Sequence, residues 1–243
     1  MSAAAPASAS AGGLPPADWL ALVNRQALAV RLVATTVHDV NNILQVMSGA
    51  AEVLALDPTP AAVAKRTTSI VGQSAAATSV LAALVGFIRA ESDARDGAKP
   101  LALAQQALGF RQHAFRKGRI TATAAGEERE VRMARHHLQQ VLLNVVLNAE
   151  HVVAGRGDGR IQVTVTPGDP TVIDVDDNGP GWSDPPGAAA AAWPAEPGPA
   201  AGALGLGLRV STELLARTGG TLACASSPLG GARVRVTVPA LRG

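Results

Sequence analysis

The stretch "TVHDVNNILQVMSG", residues 36–49, sets His38 beside Asp39 and places Asn42 one helical turn further on. A neutral imidazole nitrogen is a competent nucleophile towards a phosphoryl group. An adjacent carboxylate can hold the proton on the other nitrogen and stabilise the imidazolium that develops. Asn42, at i+4, lies on the same helix face as His38. Taken alone, the fragment also reads as a surface histidine beside a carboxylate. Three further fragments carry polar or glycine residues where an ordinary core would not need them. In "QQVLLNVVLNAEHV", Asn144 and Asn148 share one face of an otherwise apolar helix. Two readings stand for them: amides satisfied within the fold, or an amide oxygen of Asn148 offered to Mg²⁺, a hard ion that takes oxygen ligands. In "DVDDNGPGW", Asp177 ends a strand before Gly179 and Gly181, either as an ordinary turn or as a carboxylate receiving an exocyclic amine. In "GALGLGLRV", Gly205 and Gly207 stand where a loop turns into a helix, a place where free N–H groups favour phosphate oxygens.

The elements that must position these residues are legible in the apolar spacing. Val30, Val33, Val37, Val40, Leu44, Met47, Ala51 and Leu54 alternate by three and four, a heptad seam on a first long helix. "DPTP" at 57–60 ends it. A second helix runs to about Ala90, with Val63, Ile70, Ala77 and Leu84 seven apart and Leu81 and Ile88 beside them. Two antiparallel helices bury little by themselves, so a homodimeric four-helix bundle is the economical solution. "ESDARDGAKP", 91–100, reads as a linker. Beyond it, 101–117 reads as helix, 120–133 as short strand-like pieces and 134–154 as a strong helix. "RIQVTVTP" and "TVIDVDD" are alternating strands, and 183–204 is an Ala/Pro/Gly-rich loop. A helix over 206–217 stops at Gly219-Gly220, and two strands close the chain. The fold class is therefore α+β, a helical hairpin followed by an α/β sandwich with mostly antiparallel strands.

Taken together and in this order, residues 134–238 resemble the ATP-binding domain of the histidine kinase, gyrase and MutL superfamily, the Bergerat fold. The N-box is "NVVLNAEHV", the G1-box "DDNGPGW" and the G2-box "LGLGL", followed by "LLARTGGTLACAS". The resemblance implies that Asn148 ligates Mg²⁺, that Asp177 reads the adenine amine of ATP and that Gly179 and Gly181 line the base. Gly205 and Gly207 would cradle the phosphates, Asn144 would sit by the metal and nucleotide, and His151 stands where many relatives carry a basic residue near the phosphates. ATP-hydrolysing members carry glutamate in place of Asn144, and the amide here favours transfer to protein. Upstream, "VHDVNNILQVMSGAAEVL" resembles the H-box of sensor histidine kinases, which implies His38 as phosphoacceptor with Asp39 and Asn42 as its helpers. The implied partner is the receiver domain of a response regulator. Three departures stand out: Gly202 is one residue off the first G2 glycine, the Ala/Pro-rich 182–204 lid lacks the aromatic box that many kinases carry, with all three Phe residues preceding the N-box, and Ile43 replaces the H-box proline.

Bulk properties narrow the classes. Of 243 residues, 47% are hydrophobic, 16% charged and 2% aromatic, with no tyrosine, so Ala, Val and Leu must fill the core. Lys and Arg number 21 against 19 acidic residues, a net charge of +2, and no basic run is flanked by aromatics, which argues against a nucleic-acid partner. Cys224 is the single cysteine, which excludes an internal disulfide. Asn24, Arg25 and Arg31 interrupt the best apolar run short of the ~18 residues of a membrane span. The expectation is a cytoplasmic protein with no membrane insertion. Its divisions are a disordered tail at 1–17, the dimerisation and phosphotransfer hairpin at 18–94 and the ATP-binding domain at 95–243. A rival reading keeps His38 and the hairpin as a histidine phosphotransferase, with the second domain a degenerate docking surface that does not bind ATP.

Overall fold

A computed structural model describes residues 17–56, 58–89, 97–182 and 202–242. The tail, most of the 91–100 linker, the 94/95 domain boundary and nearly all of the 182–204 lid lie outside the described residues. Helices α1 (Ala17–Leu56) and α2 (Pro60–Arg89) form the hairpin. Then come α3 (Pro100–Gly109), α4 (Gln112–Gly118), β1 (Thr121–Gly126), α5 (Arg135–Val153), β2 (Arg160–Thr166), β3 (Thr171–Asp177), α6 (Gly202–Ala216), β4 (Thr221–Ser226) and β5 (Ala232–Val238). The helix expected over 101–117 is two helices, hinged at Phe110-Arg111 because Arg111 is drawn into a buried ion pair described below. The start of α6 lies at Gly202, four residues before the expected 206, so the glycines of "GALGLGL" are helical. Its other end is as expected. Gly220 N–H donates to Leu215 O at 2.9 Å, Gly219 N–H to Ala216 O at 3.1 Å, and Gly219 takes φ +79°, a Schellman stop.

The five strands make one sheet in the order β1-β2-β3-β5-β4, with β1 parallel to β2 and the other pairs antiparallel. Period-two alternation sends Ile161, Val163 and Val165 of β2, Ile173 and Val175 of β3 and Val234, Val236 and Val238 of β5 to the buried face. There they meet Leu138, Val141, Leu142, Val145 and Val146 of α5 and Leu208, Leu214 and Leu215 of α6. The opposite face carries cross-strand ion pairs. Asp174 receives Arg235 through two bonds of 2.7 and 2.8 Å, and Asp176 receives Arg233 through two of 2.8 Å. These bidentate forks lay charge that is already paired across the face of the sheet opposite the apolar core.

The hairpin packs along the helical layer. Leu20, Leu28 and Leu32 of α1 and Leu84 and Phe87 of α2 join the same buried cluster as the sandwich core. The heptad seam is a different face of α1. Val30 is 72% exposed, Val37 53% and Leu44 50%. On α2, Val63, Val71, Leu81, Val85 and Ile88 are likewise exposed. Asn24, Arg25 and Arg31 break the apolar run of α1 as expected, but by mean composition neither helix of the hairpin is excluded as a membrane span. Each has an 18-residue window apolar enough and long enough to cross, with mean hydropathy 1.2 for α1 and 1.7 for α2. The cause is the Ala and Val content, which raises the mean without any unbroken apolar run.

Candidate functional site

The helix α5 buries 13 of its residues, among them four polar ones, and the fold gives each a partner. Gln139 Nε2 donates to Gln106 Oε1 at 3.0 Å. Gln140 Nε2 donates to Ala21 O and to Asn24 Oδ1, both at 2.8 Å. Asn144 and Asn24 exchange amide bonds: Asn144 Nδ2 donates to Asn24 Oδ1 at 2.9 Å, and Asn24 Nδ2 donates to Asn144 Oδ1 at 3.2 Å. The second donor hydrogen of Asn144 goes to Ser211 Oγ of α6 at 3.2 Å. So Asn144, the residue that the resemblance sets by metal and nucleotide, is engaged here by α1 and α6. Asn148, one turn on, is half-buried and has no hydrogen bond from any described residue, which leaves its amide oxygen for a cation. His151 is exposed in the last turn of α5.

Asp177 closes β3 and is 3% exposed. Its Oδ1 accepts the N–H of Gly179 at 2.7 Å and of Ala232 at 3.1 Å, whereas Oδ2 takes no hydrogen bond from a described residue. Burial pushes this carboxyl above its ordinary value, against the pull of the Ala232 and Gly179 amides. A Cβ on Gly179 would meet Asp177 Oδ1 at 2.9 Å and Val152 at 3.0 Å, and one on Gly231 would meet Asp177 Oδ1 at 2.5 Å. Both positions must be glycine for the carboxylate to sit where it does. Gly231 escaped the sequence reading because it lies outside the three boxes. Gly181 follows with φ +79°, and Trp182 turns back to donate Nε1–H to Ala225 O at 2.9 Å. Gly205 lies in the first turn of α6, where N–H groups have no intrahelical partner. Gly207 packs on Asn144, whose Oδ1 would lie 2.9 Å from an added Cβ. The close contact of α6 with α5 therefore depends on that glycine. Burial also pushes the Cys224 thiol up, as expected of an inert half-buried cysteine.

His38 and Asn42 meet as the i+4 spacing requires, with His38 Nδ1 3.0 Å from Asn42 Nδ2. The carboxylate of Asp39 lies 3.9 Å from His38 Nδ1 and closer, 3.3 Å, to Nδ1 of His113 on α4. The His38 and His113 rings face each other at 4.2 Å between centroids. The sequence reading treats His113, His136 and His137 as solvated helix residues, and the structure corrects it for His113 and His137. His113 is folded onto the H-box, and burial pushes His137 down to about 4, helped by His136, Arg217 and Arg25. Arg111 was missed too. It is 6% exposed, forks onto Glu150 of α5 through two 2.7 Å bonds and donates to Thr35 Oγ1 of α1 at 2.7 Å. The only trace of this clamp in the sequence is a glutamate inside the apolar run of α5.

Geometry and sequence comparison agree on the class of the second domain. Residues 133–242 match the family model of the histidine kinase-, DNA gyrase B-, and HSP90-like ATPases. The match spans 110 of the 243 residues and takes in the N-, G1- and G2-boxes. The chain is similar to the catalytic domain of the histidine kinase ThkA at 21% identity, over 57% of this chain and 91% of that one, with a TM-score of 0.49. It is similar to the mycobacterial sensor histidine kinase MprB at 19% identity, over 61% and 99%, with a TM-score of 0.47. The histidine kinase AdeS of Acinetobacter baumannii aligns over 84% of this chain and 98% of its own, at 14% identity and a TM-score of 0.46. No curated protein matches the chain in sequence.

Proposed function

We propose that the protein is a protein-histidine kinase of the two-component type, autophosphorylating His38 with ATP and passing the group to an aspartate on a response regulator receiver domain. The observation that carries this reading is Asp177, a buried carboxylate with one oxygen that takes no hydrogen bond from a described residue, framed by two obligatory glycines in the matched ATPase domain. That oxygen can accept the adenine amine. Asn148 offers an unengaged amide oxygen to Mg²⁺, and the first turn of α6 offers N–H groups to the phosphates. Mg²⁺, when bound, would neutralise charge building on the transferring group. Attack by an imidazole nitrogen of His38 forms the N–P bond as the bond from the γ-phosphorus to the ADP oxygen breaks. Asp39 then stabilises the proton left on the ring.

The arrangement seen is a resting one. His38 follows Asn24 by fourteen residues on α1, about 21 Å at 1.5 Å per residue, and Asn24 is the residue touching Asn144. Transfer requires the ATP domain to leave this dock or to act on the His38 of a second copy. A second copy is part of the proposal, because the exposed heptad seam of α1 and the apolar stripe of α2 supply the inner faces of a homodimeric four-helix bundle. The apolar window of α2 is only 11% buried, but one face of α1 packs on the second domain, a contact that insertion of α1 into a bilayer would break. We place the protein in the cytoplasm on that ground.

The Asn24–Asn144 pair favours a second reading, a histidine phosphotransferase whose ATP-like domain is locked against the hairpin. Incubation with γ-labelled ATP and Mg²⁺ separates the two. Acid-labile label lost in His38→Ala and Asp177→Ala is the expected result. No label, with His38 accepting phosphate from a phosphorylated receiver, establishes the phosphotransferase instead.

A further inference from the structure

The H-box imidazole does not stand alone. His38 and Asp39 of α1 and His113 of α4 each bring one ligand atom into a group in which all three lie within 4.8 Å of one another. Zinc bound by imidazole nitrogen and carboxylate oxygen at about 2.0–2.2 Å sets its ligand atoms roughly 3.3–3.6 Å apart in a tetrahedron. The separation of His113 Nδ1 from Asp39 Oδ1, 3.3 Å, already has that value, and His38 Nδ1 at 3.9 Å needs a shift of about half an ångström and release from Asn42 Nδ2, 3.0 Å away. Asp39 Oδ1 is also one of two buried side-chain oxygens, with Glu213 Oε2, that have no hydrogen-bond partner among the described residues. A buried carboxylate oxygen without a donor is costly, and two imidazole nitrogens converge on it.

We propose that His38, Asp39 and His113 form a site for a divalent transition metal of the zinc class, with a fourth position left to water. Imidazole and carboxylate are borderline to hard donors that suit Zn²⁺ and Co²⁺. The site joins the two parts of the molecule. Its ligands come from the hairpin and from α4, so a bound ion pins the ATP domain to the H-box. It also takes a nitrogen of the imidazole proposed to receive phosphate. The metal site stands on geometry alone, and its inhibitory consequence rests on the proposed role of His38.

Chelator-treated full chain is titrated with Co²⁺ and separately with Zn²⁺. One Co²⁺ per chain with the intense visible absorption of tetrahedral coordination is the expected result, displaced by Zn²⁺ and indifferent to excess Mg²⁺. His113→Gln and Asp39→Asn, each checked for an unchanged circular dichroism spectrum, should each lose about tenfold or more in affinity. No saturable one-to-one binding, weak octahedral absorption, or affinity unchanged in both variants overturns the proposal. In the labelling arm, Zn²⁺ should suppress ³²P incorporation in the wild type and have little effect on His113→Gln. Tetrahedral Co²⁺ binding in a chain that takes no label from ATP removes the kinase reading and leaves the metal site standing.

Discussion

The hairpin and the ATPase domain use the same aliphatic residues to opposite ends. In α5, Leu138, Val141, Leu142 and Leu143 are wholly enclosed. In α1, Val30, Val37 and Leu44 keep half or more of their surface in contact with solvent. One set is enclosed by described residues of the chain, and the other is not. The heptad repeat on α1 is as regular as the core pattern of α5, so regularity alone does not say which kind of surface a stripe will be. The difference is local supply: α5 lies on a sheet that needs covering, whereas α1 has two faces and the described residues cover only one.

The largest effects should come from exchanging treatments between these regions. Leu142→Ala removes a fully buried side chain and should cost about 2–5 kcal/mol in urea unfolding. Val30→Ala should cost less than about 0.5 kcal/mol in a monomer, because little of it is buried. The double variant Val30→Asp with Leu44→Asp should leave the thermal midpoint of the ATPase domain in place and convert dimer to monomer in sedimentation. A wild-type chain that sediments as a monomer would refute the assignment of the seam to a second copy. Next in size is the clamp between the regions. Arg111→Ala leaves Glu150 charged and buried without its fork, and should cost about 3 kcal/mol. If Arg111→Ala and Thr35→Ala show no coupling in a double-mutant cycle, the clamp does not join hairpin to domain in solution.

How far the sequence reaches follows the same division. The hairpin, α5, β2, β3 and the closing strands all show periodicities of three to four or of two, and each is where the spacing sets it. Asp177 and Gly179 were legible as a pair because their own contact spans two residues, whereas the Ala232 bond to the same oxygen spans 55 and left no trace in the spacing. Arg111 and His113 were not, because their partners Glu150, Thr35 and Asp39 lie 39, 76 and 74 residues away. No spacing rule connects such residues. The start of α6 was misread for a different reason. Gly202, Gly205 and Gly207 carry poor helix propensity, and only close packing on Asn144 gives Gly207 an advantage there that outweighs it.

The smallest expected effect tests the seam between the regions by pH. His137 lines a cleft of about 140 Å³ with Asp18, Arg25, His136, Gln140 and Arg217. Burial lowers its pKa from 6.5 to about 4, the nearby His136, Arg217 and Arg25 act in the same direction, and Asp18 opposes them. The folded state thus holds His137 neutral, while the unfolded chain takes up a proton below pH 6.5. Stability from this group is complete above pH 6.5 and is lost as pH falls from 6.5 towards 4. His137 is only partly enclosed, so solvent screening should hold the loss to about 1 kcal/mol or less. The urea midpoint of the wild type should therefore fall more steeply between those values than that of His137→Gln. Parallel curves would show that the cleft opens in solution and that α1 does not rest on α5 as tightly as the Asn24 and Gln140 bonds require.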